Sequence, residues 1–187
     1  MRGLISDIDC ALDDVSASSA GGSPFLLAYG LTFCANATLS FLLPIPTVAV
    51  IAMFQGAVAL PLAFWLERRL RLRDMVYGNP FRSLSGQMAI SQALGLPALI
   101  ATYSLDPNLV PLVLASLGGI HFLPYAWLQR SRVYTYLAVA VSFGAYAIQV
   151  ILPANEFSVI LFYIALLYWA GAILVYRNSV WLVAASN

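Results

Sequence analysis

The sequence predicts an all-α bundle of six membrane-crossing helices, arranged as three antiparallel hairpins with both termini cytoplasmic. Three observations predict it. Charged residues make up only 9% of the 187, and the mean hydropathy is +0.86, whereas an ordinary soluble domain carries roughly a quarter charged residues. The nine arginines and eight acids leave long uncharged windows between them, and the arginines fall only in alternate connections. Such a chain cannot coat itself for water, which sets aside a soluble enzyme. A net charge of +1 gives no field for holding nucleic acid.

The first 23 residues form a cytoplasmic lead-in. They lack the basic start and apolar run of a signal peptide, and carry Asp7, Asp9, Asp13 and Asp14 instead. Met1, Leu4, Ile5, Ile8, Leu12 and Val15 share one helical face. That face suits either a protein-docked lead-in or a membrane-surface helix, although surface helices usually carry basic polar faces. Ser16 to Ser23 reads as a flexible joint.

A crossing takes about 20 apolar residues. The window from Val15 to Leu66 holds two spans, at 24–43 and 47–66, with Pro44-Ile45-Pro46 as the turn between them. Four further windows each hold one, at 84–104, 109–129, 133–152 and 157–176. The transmembrane domain is therefore 24–176, followed by a tail at 177–187. Most connections are short enough to force antiparallel neighbours, and the longer loop at 67–83 contains the turn signal Gly78-Asn79-Pro80. The alternating pattern of a β-barrel is absent. Arg68, Arg69, Arg71, Arg73 and Arg82 lie in the second connection, Arg130 and Arg132 in the fourth, and Arg177 after the last span. The positive-inside rule puts that side in the cytoplasm. Cys10 and Cys34 then lie in different compartments, so no disulfide is expected. The sequon at Asn36 falls inside a span, out of reach of glycosylation.

A shift of 63 residues aligns the second and fourth spans without a gap. Pro44/Pro107, Gly56/Gly119, Leu60/Leu123, Pro61/Pro124, Ala63/Ala126 and Arg69/Arg132 coincide. Either a parallel hairpin duplication or the small alphabet of membrane helices explains this. Pro153 and Ala172 would mark a diverged third copy. Ala115/Gly119 and Ala140/Gly144 have the small-residue spacing of close helix crossings. Tyr103, Tyr134, Tyr136, Trp127, Tyr176 and Trp181 fall where an interfacial aromatic belt belongs.

No acid or arginine sits inside a span, which removes carboxylate relays and charged triads. One His and two scattered Cys are too few for a metal site, and no cofactor is implied. The interior chemistry rests on His121 and a set of amides and phenols. His121 lies roughly 12 Å from the cytoplasmic end of the fourth span, level with Gln92 on the third. Tyr125 is level with Gln87. Gln87 and Gln92 are about 140° apart around their helix, so only one can face the fourth span. Gly118 and Gly119 bare the backbone beside His121, and Pro124 and Pro61 are candidate kinks. These groups either line a polar pocket open to the cytoplasm or bond across helices to hold the bundle. Gln55 is a further candidate and Gln149 a weaker one. Arg68, Arg69, Arg71 and Arg73, interleaved with leucines, are either a topogenic signal or a site for anionic lipid headgroups.

Asn79-Pro80, Gly86-Gln87 and the run Gly119-x-His121-x-Leu123-Pro124-Tyr125-x-Trp127-Leu128 resemble a family of small bacterial multi-pass membrane proteins of unknown function. The resemblance covers about 47–152. It implies residence in the bacterial inner membrane and directs attention to His121, Tyr125, Asn79 and Gln87, without an activity.

Three readings of function follow. The polar but uncharged interior favours binding or movement of a small neutral or weakly polar molecule. An intramembrane enzyme acting on a lipid or isoprenoid is the second, with His121 as base and Tyr125 assisting. The third is a structural or regulatory subunit docking through small-residue faces. The bilayer is the expected partner in all three, and a homo-oligomer is compatible with each.

Overall fold

Helix starts in this chain follow its prolines. Pro24, Pro46, Pro97 and Pro111 each stand in the first turn of a helix, where a missing N–H costs nothing. The computed structural model describes residues 2–152 and 156–186. The helices are α1 (Arg2–Ser18), α2 (Ser23–Leu39), α3 (Ile45–Met53), α4 (Gly56–Leu70), α5 (Arg82–Ser91), α6 (Leu96–Leu105), α7 (Val110–Leu128), α8 (Val133–Ile151) and α9 (Glu156–Ser186). Single 3₁₀ turns stand at Ala20–Gly22, Gln92–Gly95 and Pro107–Leu109. Met1 and Pro153 lie outside the described residues.

Among the described residues four helical runs are long and apolar enough to cross a membrane: Arg82–Leu105, Pro107–Leu128, Val133–Ile151 and Glu156–Ala184. A fifth is a bent pair, α3 and α4, which meet at 46°. Two expected spans thus differ from straight helices. The one at 47–66 breaks at Phe54–Gln55, where Gln55 N–H bonds the Ala52 carbonyl rather than the one a full turn back. Gly56, a poor helix former, follows directly. Pro61, an expected kink, lies inside α4, and the break falls before it. Pro124 likewise sits inside an unbroken α7. The third span is tightened at Gln92–Gly95, with Leu96 N–H bonding the Ala93 carbonyl. The segment at 24–43 ends its helix early, at Leu39, and closes through turn bonds from Phe41, Leu42 and Leu43.

The most extensive packing is of α2 on α9, α7 on α8, α2 on α4 and α8 on α9. The first and last long helices therefore close the bundle, while α5 and α6 lie at its edge with little of their surface covered. Small residues allow the closest approaches. At Gly119 an added Cβ would fall 2.8 Å from the Ala138 carbonyl of α8. Gly144 meets the Tyr163 hydroxyl, which donates to the Ala140 carbonyl at 2.8 Å.

At the arginine-bearing end the lead-in is docked. Leu12 and Val15 are buried against Leu128, with Met75, Phe81 and Met88 around them. Asp14, 3% exposed, accepts from Val76 N–H at 3.0 Å and Asn79 Nδ2 at 2.8 Å, and Arg73 Nε lies 3.5 Å away. The run Ser16 to Ser23, expected to be a flexible joint, is instead buried throughout. Ser19 and Gln129 exchange hydrogen bonds, and Tyr134 Oη donates to the Gly21 carbonyl at 2.7 Å. Gly21 has φ +66°, and a Cβ there would stand 2.6 Å from the Val175 carbonyl, so both conformation and space require glycine. Tyr134 is accordingly core rather than interfacial belt. The expected tail at 177–187 continues α9 to Ser186. Ser179, on that extension, is fully buried against the docked segment.

Candidate functional site

Three side chains singled out by sequence meet in one cavity. His121 and Tyr125, one turn apart on α7, have ring centroids 5.0 Å apart, and Gln92 enters from the 3₁₀ turn before α6. With Tyr29 and Phe25 of α2, Phe64 of α4, Tyr134 of α8 and Tyr168 of α9 they line about 360 Å³, within the size range of small-molecule sites. Glu67, Met75 and Arg82 line its arginine-bearing end. The same three residues border a polar basin of about 310 Å³, with Arg68, Arg71 and Asp74. That basin is the mouth.

A second cavity of about 290 Å³ continues from the first. It shares Tyr29, Leu60, Gln92 and Tyr168 with it, and reaches Gln55, Met53, Phe33, Leu99 and Leu114. Along α7 the lining runs from Tyr125 to Leu114, about 16 Å of helix. Val48, Ala49 and Val110, all fully buried, belong to the packed core beyond Leu99 and Leu114.

Most of the polar groups here make no bond across helices. Among the described residues, neither ring nitrogen of His121 bonds a protein atom, and the same is true of the Gln92 amide and the hydroxyls of Tyr29, Tyr125 and Tyr168. The cross-helix bonding that would make these residues structural glue is therefore missing. Gln55 is half satisfied, since its Oε1 accepts from Asn36 Nδ2 at 3.3 Å while its Nε2 bonds no described residue. Unpaired polar groups in an apolar surround cost free energy. Tyr134 differs, because its hydroxyl is used on Gly21.

Other candidates lie elsewhere. Gln87 is exposed, consistent with the angular separation that lets only one of Gln87 and Gln92 face α7. Asn79 is a clip. Its Nδ2 donates to the Ala11 carbonyl and Asp14, and its Oδ1 accepts from Phe81 N–H at 2.9 Å. Gln149 is outside both cavities, with a buried Oε1 that has no partner among the described residues. Gly118 faces Tyr168, whose hydroxyl would stand 2.7 Å from an added Cβ, while Gly119 serves the contact with α8. Of the four arginines read as a headgroup site, Arg73 pairs with Asp14, Arg71 with Asp74, and Arg69 lies 5.7 Å over Trp65. Arg68 lines the basin. Both cysteines are free thiols.

Sequence reasoning missed Tyr29, Tyr168, Glu67 and Arg82. A signal existed for the first, since Phe25, Leu26, Tyr29 and Phe33 recur at three- and four-residue spacing on α2. Tyr168 carried none, because α9 is apolar on every side from Val159 to Val175 apart from its tyrosines.

The chain belongs to DUF7010, a family of unknown function whose model matches residues 8–178. That range is wider than the 47–152 covered by the resemblance and takes in most of α1 and α9. No curated protein and no solved structure matches the chain.

Proposed function

We propose that this is an integral membrane protein that binds, and moves, a small neutral or weakly polar molecule through the cavity around His121, Gln92 and Tyr125. In this reading α2 crosses as a sixth span beside the five runs above. The arginine-bearing end faces the cytoplasm of a bacterial inner membrane, with both termini there. The positive-inside asymmetry supports that orientation. Reporter tags at the two ends that read on opposite faces would reject it.

The observation that carries the functional reading is the set of hydrogen-bonding side chains that converge on the first cavity without protein partners. The lining is largely aromatic, with its charged residues, Glu67 and Arg82, toward the mouth. Such a site suits an uncharged guest with a flat or apolar body and one or two polar groups. The test is solute flux into proteoliposomes, followed by light scattering with glycerol, urea and a small phenol. Protein should speed the passage of at least one of them, and His121→Ala combined with Gln92→Leu should return the rate to that of empty vesicles. A folded double variant that moves solute as fast as the parent would overturn the reading, as would a parent protein no faster than empty vesicles.

A further inference from the structure

Two helix discontinuities flank the deeper cavity. Met53, Phe54, Gln55 and Gly56, at the break between α3 and α4, line one side, and Gln92 and Ala93, in the 3₁₀ turn, line another. Each interruption removes ordinary helical bonding just where volume opens. Pro61 has no N–H for the Ala57 carbonyl four residues back, and Ala57 lines this cavity. Interrupted helices are tolerated at membrane depth where they are buried in protein or line a cavity, and in transporters they commonly build the substrate site.

Polar groups reinforce the geometry. Gln55, 7% exposed, keeps its amide N–H₂ free of described partners while Asn36 occupies its oxygen. Tyr168, 5% exposed, has an unbonded hydroxyl at the junction of the two cavities. Tyr29 stands opposite it on α2, its hydroxyl 3.3 Å from where a Cβ on Gly56 would be. No acid or arginine lines this deeper space.

We infer that the deeper cavity is a second binding compartment for a small uncharged solute carrying both a hydrogen-bond donor and an acceptor, entered from the first cavity across a constriction of Tyr29, Gln92 and Tyr168. This rests on the proposed function and extends it. The solute passes from the aromatic outer chamber to an amide-lined inner one, where Gln55 Nε2 donates and the Ala57 carbonyl accepts. Two compartments that share part of their lining form a route rather than a single pocket.

The test is thiol accessibility in inverted membrane vesicles, on a Cys10→Ser, Cys34→Ser background. The probe is hydroxyethyl methanethiosulfonate, uncharged and polar like the solute. His121→Cys reports the outer chamber and Leu99→Cys the inner one, since Leu99 is 3% exposed and lines it. Leu117→Cys, on the same chamber, replaces Leu99→Cys if that variant fails to fold. Both chambers should react, and Tyr29→Ala should raise the ratio of inner to outer reaction rates roughly tenfold, equivalent to ~1.4 kcal/mol of barrier. An inner thiol that is inert, or indifferent to Tyr29→Ala, while His121→Cys reacts, overturns the two-compartment route and spares the outer site. An unreactive His121→Cys overturns the proposed function, and the inference with it.

Discussion

Two buried tyrosines offer a matched pair. Tyr134 and Tyr168 are exposed by only 2% and 5% and belong to one core cluster, yet their hydroxyls differ in employment. Tyr134 donates to the Gly21 carbonyl at 2.7 Å, whereas Tyr168 bonds no described residue. Replacing either with Phe keeps the ring and its aromatic neighbours. Phe122 lies 5.7 Å from Tyr134 and 5.2 Å from Tyr168, centroid to centroid. Only the hydroxyl term changes. Tyr134→Phe strands a buried carbonyl and should cost about 1–3 kcal/mol. For a chain of this size each kcal/mol moves the midpoint by roughly 2–4 °C. Tyr168→Phe should leave stability unchanged within about 0.5 kcal/mol or raise it, because it removes an unpaired polar group from an apolar setting. Its effect should appear in solute flux instead. Thermal unfolding in one detergent, followed by tryptophan fluorescence, measures both variants side by side. Equal destabilisation by the two would refute the reasoning, since the Tyr168 hydroxyl would then be satisfied within the fold and the cavity would be mere packing.

Further expectations concern the docked lead-in and the close crossings. Asp14→Ala removes two hydrogen bonds to a carboxylate and the Arg73 contact. It should cost about 2–4 kcal/mol and speed tryptic cleavage after Arg71 and Arg73 by loosening the loop that carries these already exposed side chains, while an unchanged digestion rate would count against the clip. Gly21→Ala meets both a left-handed backbone and the Val175 carbonyl, whereas Gly78→Ala, at φ +88°, enters open space. The first should cost at least about 2 kcal/mol and the second about 1, so equal denaturation midpoints would contradict the packing described. Gly119→Ala drives a Cβ at the Ala138 backbone, while nothing lies within 4 Å of a Cβ on Gly86. A loss of about 1–3 kcal/mol is expected for Gly119→Ala, against a neutral or slightly favourable Gly86→Ala, both read from unfolding curves.

Apolar windows and prolines made the helices legible, because lipid-length runs and first-turn prolines are local facts. The break before Gly56 was not legible, since Pro61 marked the wrong turn. The kink depends on which carbonyl Gln55 N–H selects, and that is set by neighbours. Ser16 to Ser23 misled for a related reason. Small residues signal either freedom or close approach, and the wall formed by Val175 and Ser179 arrives from far along the chain. At the candidate site, depth and angle were readable within α5–α7, which brought His121, Tyr125 and Gln92 into view and allowed only one of Gln87 and Gln92 to face α7, without deciding between them. Tyr168 was invisible because a phenol in the apolar stretch of α9 has no distinguishing face until its neighbours are known. Asn79 carried a motif signal whose cause is a turn, for its bonds run to Ala11, Asp14 and Phe81.

The pairing of α2 with α9 sets the timetable of assembly. In the proposed topology α2 enters the bilayer early, but the helix that covers Gly30 through Trp169 and flanks Gly21 through Val175 follows more than a hundred residues later. Until then the nascent intermediate presents an uncovered seam to lipid, and an insertase or membrane chaperone has a reason to hold it. Premature stop codons within residues 156–186 should therefore yield species that are inserted yet quickly degraded, rather than shorter working versions.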